Sequence, residues 1–369
     1  MSNSNGVARK PRILVAGALG AVGSLVADLI AAHPALELGA ITARDTGDES
    51  SPIGKRLCEI YPEHRVQLAL EDISGLDLGD FDAAVVAFPA GAASALARSL
   101  RDAGLKVVDS CADFRFADVG IYEDWYGKHV EPELVGEAVY GLPELNRDHL
   151  KEADLVGNPG CYPTASILAL APLAREGLIA DVVIDAKSGV SGAGKRGESA
   201  PPFVGTFDNM KPYGIPGHRH EPEIREQLAE LGYVGGLSFV PHLVPLDQGE
   251  LVSCYVSPAR SIEPDSLVDL YREAYESEPF VELAPEPPTA RDVQRTNICR
   301  IHPMMDRDCS RIFVFAVIDN LWKGGASQAI QNLNLSLGLP EAEGISRAIA
   351  VGNPTTQGRS PLDRHTVPA

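Results

Sequence analysis

Cys161 lies within the run Gly157-Asn-Pro-Gly-Cys-Tyr-Pro-Thr and opens a segment that continues through Ala165–Ala174. A Pro-Gly turn ahead of a helical run puts this thiol at a helix N-terminus. There the unpaired N–H groups and the dipole lower its pKa and raise its thiolate fraction. A thiolate so placed is a nucleophile toward an acyl carbon. Cys58, Cys111, Cys254, Cys299 and Cys309 have no such setting and read as small buried hydrophobes. A second cluster is Gly217-His218-Arg219-His220, followed by Glu221-Pro222-Glu223 as a first helical turn. A histidine at that start is kept neutral by the dipole and can exchange a proton with a sulfur or an oxyanion. The capping argument favours His220 and leaves His218 open. Two histidines at i, i+2 do not share a helix face, and the cysteines form no C-x-x-C pair, so no metal site is expected.

Three further stretches have the make-up of anion holders. Gly17-Ala18-Leu19-Gly20-Ala21-Val22-Gly23 lies between an apolar strand signal and a helix signal, where small residues let backbone approach a pyrophosphate. Its spacing is G-x-x-G-x-x-G. At the end of the next strand signal stands Thr42-Ala43-Arg44, where a ribose-binding carboxylate is usual; Arg44 suits a 2′-phosphate and favours NADP(H). Asp109-Ser110-Cys111-Ala112-Asp113-Phe114-Arg115 follows another strand signal, and Lys187-Ser188-Gly-Val-Ser191-Gly192-Ala-Gly-Lys195 leaves a fourth. Each combines hydroxyl or amide donors with a cation.

The elements that must position these groups alternate over the first 110 residues. Arg12–Ala16, Leu36–Thr42, Ala83–Phe88 and Lys106–Asp109 read as strands, and Val22–Ala32 carries apolar residues at helical spacing. Alternation of this kind predicts an α/β, Rossmann-like doubly wound parallel sheet. After about Leu155, the strand signals Asp181–Val190, Leu237–Val240, Leu251–Ser257 and Arg311–Ile318 have fewer helices between them, which predicts an α+β domain. A helical segment, Gly324–Gly338, is placed to pack back on the first domain.

The chain has 369 residues, 44% apolar and 22% charged, enough for two or three packed domains. Its formal net charge is −19, and no basic run offsets it, which argues against nucleic-acid binding. The most apolar stretch, Asp82–Ala97, is broken by Pro89 and Gly91, so no membrane span is expected. The polar N-terminus shows no signal peptide, and the scattered cysteines suit a reducing compartment, so a soluble cytoplasmic protein is expected.

Taken in order, these segments resemble the N-acetyl-γ-glutamyl-phosphate reductases of arginine biosynthesis, relatives of the aspartate-semialdehyde dehydrogenases. The resemblance runs from about Arg12 to Leu339. It rests on Asn158-Pro-Gly-Cys161-Tyr-Pro-Thr, Lys187–Gly194, His218-Arg-His220-Glu-Pro-Glu-Ile224, Phe239-Val-Pro-His-Leu-Val-Pro245 and Asp319-Asn320-Leu-Trp-Lys-Gly324. It implies NADPH-dependent reduction of an acyl phosphate through a thioester on Cys161, with His220 or His218 as proton carrier. It also implies Gly17–Gly23, Arg44, Pro89, Ser191, Gly192 and Asn320 as cofactor contacts, and Arg115, Ser110, Lys187 and Ser188 on the substrate and phosphate side. The same chemistry on aspartyl phosphate or a carrier-bound aminoadipyl phosphate stays open. A nucleotide sensor without activity is opposed by the retained cysteine and histidines. By the same resemblance, residues 1–160 form the NADP-binding domain, completed by a C-terminal helix over 324–352. Residues 161–323 then form the catalytic and dimerisation domain of a homodimer or homotetramer; the polar, Pro-containing run 354–369 is expected from its composition to be a flexible tail. Leu19 and Ala21 stand where the family has Ser and Tyr, Ala43 and Cys111 where it has Ser, and Ala90 where it has His.

Overall fold

The structure is a computed structural model that describes residues 9–193 and 208–345. Its first sheet is parallel throughout. Strands β1 (Arg12–Ala16), β2 (Glu37–Thr42), β3 (Leu70–Glu71), β4 (Ala83–Val86), β5 (Lys106–Asp109), β6 (Val139–Tyr140) and β7 (Leu155–Gly157) lie in the order β3-β2-β1-β4-β5-β7-β6. Ile13, Leu14, Val15 and Ala16 are fully buried because helices cover both faces, as in other parallel sheets. The strand order reverses between β1 and β4, and ligands of such sheets bind beyond the strand ends at this point. Helix α1 (Ala21–Ala32) leaves β1, and α2 (Ser94–Asp102) leaves β4. Two more helices, α3 (Val119–Tyr126) and α4 (Pro143–Glu152), follow β5.

Helix α5 (Cys161–Arg175) connects the two sheets, and every residue from Tyr162 to Ala174 is buried. It packs on the inner face of a second, mixed sheet. That sheet contains β8 (Ile179–Ser188), β9 (Lys211–Pro212), β10 (Gly236–Leu243), β11 (Glu250–Pro258), β12 (Val281–Leu283), β13 (Cys299–Met305) and β14 (Ile312–Ile318). Their order is β12-β13-β14-β11-β8-β10-β9. Helix α6 (His220–Glu230) lies along α5, and α7 (Pro264–Tyr275) covers the far end. Val182, Ile184, Ala186, Val252, Cys254, Val314 and Ala316 alternate inward from three neighbouring strands, and α5 supplies the facing layer of the core.

The C-terminal segment returns to the first sheet. A π-helical turn, Trp322–Ala326, leads into α8 (Ser327–Ser336), which lies against α1, α4 and β5. The helix is shorter than the 324–352 expected from sequence. Gly338 takes φ +70° and closes its C-terminus, with the Gly338 and Leu339 amides bonded back to Leu335 and Asn334. Pro340 follows, and residues 341–344 form turns. Positions 346–352, the tail 354–369 and the loop residues Gly194 and Lys195 lie outside the described residues. No helix of the described residues is long and apolar enough to cross a membrane.

Candidate active site

Cys161 is the first residue of α5, with Gly160 as its N-cap. The turn before it is held from several directions. The Asn158 amide donates to the Asp109 carbonyl at 2.7 Å, and the Asn158 carbonyl accepts from Arg115 Nε at 2.7 Å. The Asn158 side chain donates to the Gly325 carbonyl at 3.0 Å and accepts from Asn332 at 2.9 Å. Gly157 lies so close to the loop after β5 that a Cβ there would meet the Phe114 carbonyl oxygen at 1.9 Å. The Asp109–Arg115 and Gly157–Cys161 motifs therefore pack backbone against backbone.

Glu223, fully buried on the first turn of α6, joins the same turn. Its Oε1 accepts from the Gly160 amide at 3.0 Å and from the Tyr140 hydroxyl at 2.9 Å; its Oε2 accepts from Arg115 at 3.4 Å. Arg115 also donates to the Ser110 carbonyl at 3.2 Å, so it is a brace of the turn as well as a charge beside it. The Ser110 hydroxyl is buried and has no partner among the described residues.

His220 begins α6, as its sequence context indicates, and its ring lies over Gly160. A Cβ on that glycine would come within 2.6 Å of His220 Nε2. The other ring nitrogen, Nδ1, is buried without a partner. His218 stands one step back, and its Nδ1 accepts the His220 amide at 3.1 Å. Tyr162 packs edge-on against both rings. Burial in this aromatic cluster holds the His218 ring down at about 4, with Arg219 adding to the effect, and pushes His220 well below the usual imidazole range. Both rings are neutral at pH 7.

The thiol runs against the sequence expectation. The helix start does favour a thiolate, but burial and then the Glu250 carboxylate push the Cys161 pKa well above the ordinary thiol value. A thiolate here must form by handing its proton to a neighbouring base.

The nucleotide loop has the shape its glycines imply. Gly17 takes φ +92°, and a Cβ there would sit 2.5 Å from the Ala87 carbonyl oxygen of the loop after β4. A Cβ on Gly23 would lie 2.2 Å from the Gly17 carbonyl oxygen. Gly20 is exposed, with nothing nearer than 3.6 Å to its Cβ position. The first amides of α1 lack helical acceptors here; Leu19, Ala21 and Val22 are partly exposed beside them, and Ala18 is fully buried beneath. Pro89 is exposed on the abutting loop after β4. Arg44 is exposed at the end of β2, while Asp45 turns away to accept from the Gly47 amide and the Ser51 hydroxyl. The cradle therefore fits a dinucleotide, and the residue left facing out at the ribose end is a cation.

On the second sheet, Asn320 ties the remaining expected contacts together. Its Nδ2 donates to the Ser191 hydroxyl at 3.0 Å, and its Oδ1 accepts from the Gly249 amide at 2.8 Å. Gly192 packs against Ser188 and Asn320. Ser188 is buried on the inner face; Lys187 lies on the opposite face of β8 and pairs with Asp185 at 2.5 Å. The structure does not bring Lys187 to Cys161, because strand alternation turns neighbouring side chains to opposite faces. Two groups close to the thiol are not among the site residues expected from sequence. Gly324 sits so near that a Cβ would touch the Cys161 Cβ at 2.7 Å, and Glu250 is fully buried beside the thiol. Glu223 belongs to a recognised motif, yet only the fold shows what its carboxylate holds; Glu250 has no local signal.

Two family models divide the chain much as the sheets do. Residues 12–153 match the semialdehyde dehydrogenase NAD binding domain, and residues 161–320 match the semialdehyde dehydrogenase dimerisation domain. The chain is 44% identical over 346 residues to the N-acetyl-gamma-glutamyl-phosphate reductase of Symbiobacterium thermophilum, covering 91% of this chain and 98% of that one. It is 42% identical over 340 residues to the protein of the same name from Nitrosomonas europaea, covering 90% and 96%. This chain belongs to the N-acetyl-γ-glutamyl-phosphate reductase family. Among solved structures, aspartate semialdehyde dehydrogenase II of Vibrio cholerae superposes with a TM-score of 0.68 at 17% identity, over 90% of this chain and 99% of that one. The NADP complex of the Candida albicans aspartate semialdehyde dehydrogenase gives 0.66 at 16%, over 89% and 98%. These two show that the fold is shared.

Proposed function

We propose that the protein reduces N-acetyl-γ-glutamyl phosphate to N-acetylglutamate semialdehyde, with release of phosphate, in arginine biosynthesis. The observation that carries this reading is Cys161 at the start of a buried helix, braced by Asn158 and Glu223, beside a neutral histidine and near the switch point of a nucleotide-binding sheet. The high identity to reductases of that name over nearly the whole chain supports the substrate.

In this mechanism Cys161 Sγ attacks the γ-acyl carbon, the bond to the phosphate oxygen breaks, and the acyl group remains as a thioester. The reduced nicotinamide nucleotide supplies a hydride when bound. Cys161 then releases the aldehyde as the carbon–sulfur bond breaks. His220 carries the proton at the reacting oxygen, because its Nε2 lies over Gly160 beside Cys161, while His218 stands one step back with its Nδ1 occupied by the His220 amide. The unpaired Ser110 hydroxyl and the Arg115 charge stand on the phosphate side. Gly17–Gly23, Pro89, Ser191, Gly192 and Asn320 line the cofactor side, with Arg44 at the 2′-phosphate of NADP(H).

Residues 1–160 with the C-terminal helix serve as the cofactor unit, and 161–323 as the catalytic and subunit-contact unit; the family matches and the packing of α8 on α1 and β5 support this division. The outer face of the second sheet presents Val183, Tyr255, Phe313, Phe315 and Met304, with Tyr255 and Phe313 rings 5.6 Å apart. That apolar face suits a homodimer or a homotetramer. Six free cysteines and a need for reduced nucleotide fit a cytoplasmic setting.

The test is the reverse reaction, following NADPH formation from N-acetylglutamate semialdehyde, phosphate and NADP. Phosphate-dependent turnover that disappears in Cys161→Ser is the expected result. Activity with aspartate semialdehyde in its place would move the substrate, and unchanged turnover in the variant would remove the nucleophile.

A further inference from the structure

Glu250 opens β11 directly opposite Ile318 of β14, and the Ile318 side chain reaches the point where Gly324 meets the Cys161 Cβ. Its side chain is completely buried, and neither carboxylate oxygen has a hydrogen-bond partner of normal geometry among the described residues. Burying a carboxylate without donors is unfavourable, so an ordinary core position would be apolar. Among the described residues, the group that acts on it as a donor is the Cys161 thiol.

We infer that Glu250 is a further catalytic residue, the base that takes the Cys161 proton as the thiolate forms. This inference rests on the reading of Cys161 as nucleophile. In the step, the S–H bond breaks, an O–H bond forms on Glu250, and the negative charge moves from carboxylate to sulfur; no oxidant or reductant takes part. When the aldehyde leaves, the freed thiolate takes the same proton back. His220 is then left to serve the reacting oxygen, so the two protons have separate carriers.

The surroundings fit this role. Burial pushes Glu250 up to about 8, the thiol contact opposing and Asp319 adding, which brings its basicity closer to that of a thiol. Tyr162, Tyr213 and Cys299 also feel its charge, and Arg115 is the cation that acts on the thiol. The tyrosines and Cys299 are all held protonated by burial, so none competes for the proton.

The experiment measures the rate of Cys161 alkylation by iodoacetamide against pH, in the full-length wild-type protein and in Glu250→Gln. A carboxylate that acts as base gives a wild-type profile with two rises, one for each ionisation of the pair. The variant then shows a single rise, shifted to lower pH because the charge that holds the thiol proton is gone, while kcat falls about 10²-fold, the scale of one general base. A carboxylate that is only a neighbouring charge also leaves an easier thiolate on its removal, but the variant then keeps or raises its kcat. That result overturns the proposal, as does a single-rise wild-type profile, which needs no variant to fold. Retained NADP affinity shows that Glu250→Gln is native. Because alkylation needs no substrate, it stands apart from a failure of the nucleophile itself, which turnover in Cys161→Ser would reveal.

Discussion

Lys323 Nζ lies 2.6 Å from Glu144 Oε1, and both side chains are completely enclosed. The ammonium also donates to Gln331 at 2.8 Å and faces the Phe280 ring at 5.7 Å. Lys323 belongs to the π-helical turn whose next residue touches Cys161, and Glu144 to a helix of the first sheet. The pair thus joins the nucleotide-binding layer to the floor of the reacting site. Replacing Lys323 by Met strands a buried carboxylate and should destabilise the fold by about 3–5 kcal/mol in urea unfolding, whereas Lys323→Met with Glu144→Leu should recover most of that loss. A double variant no more stable than the single one would show that the pair is not coupled.

Gly23 and Gly20 belong to one motif but should fail differently. A methyl on Gly23 meets the Gly17 carbonyl oxygen at 2.2 Å, so Gly23→Ala forces α1 away from β1. The expected cost is about 2–4 kcal/mol of stability with or without nucleotide. A methyl on Gly20 has room in the protein and projects from an exposed position at the loop mouth. Gly20→Ala should keep its melting temperature and raise the Kd for NADPH at least about tenfold, a difference of about 1.4 kcal/mol. Equal melting losses in the two variants would contradict this division.

The glycine loop was readable because turn chemistry is local, and so were Cys161 and His220, each announced by its own helix start. The long strands show as apolar runs, but β3, β6 and β9 are two residues each and exist only because a neighbour pairs with them. The hydrogen bond between Glu223 and Gly160 spans 63 positions, and no local pattern announces such a tie. The thiol expectation took the sign of the helix dipole, which sequence displays, and missed burial and Glu250, which it does not. Lys187 was grouped with Ser188 because they are adjacent, and a strand sends adjacent side chains to opposite faces.

Arg44 is the residue that should decide between the two nicotinamide nucleotides. Asp45 is committed to Gly47 and Ser51, so it does not offer the ribose diol the carboxylate that NAD enzymes use. Arg44→Ser should lower kcat/KM for NADPH by about 10–100-fold, the worth of a charge-assisted contact, and leave the NADH value nearly unchanged. A parallel fall with both nucleotides would assign Arg44 to the loop rather than to the phosphate.

His218 gives the fold a dependence on pH whose direction is fixed. Burial, then Arg219, lowers its pKa from 6.5 to about 4. Between those values the unfolded chain binds a proton at this position and the folded chain does not. Stability from this residue is therefore fully present above pH 6.5 and is lost as pH falls toward 4. The ring is partly exposed, which tempers the effect to about 1–3 kcal/mol, since each pKa unit corresponds to about 1.4 kcal/mol. His218→Asn retains an acceptor for the His220 amide and removes the titration. Urea unfolding at pH 7 and pH 4.5 should show a smaller acid loss in this variant than in the wild type. The His220 pKa is lowered in the same direction, by burial and then by His218, so part of the acid sensitivity should survive the substitution. An identical acid loss in both proteins would mean that His218 is protonated in the folded state well above pH 4.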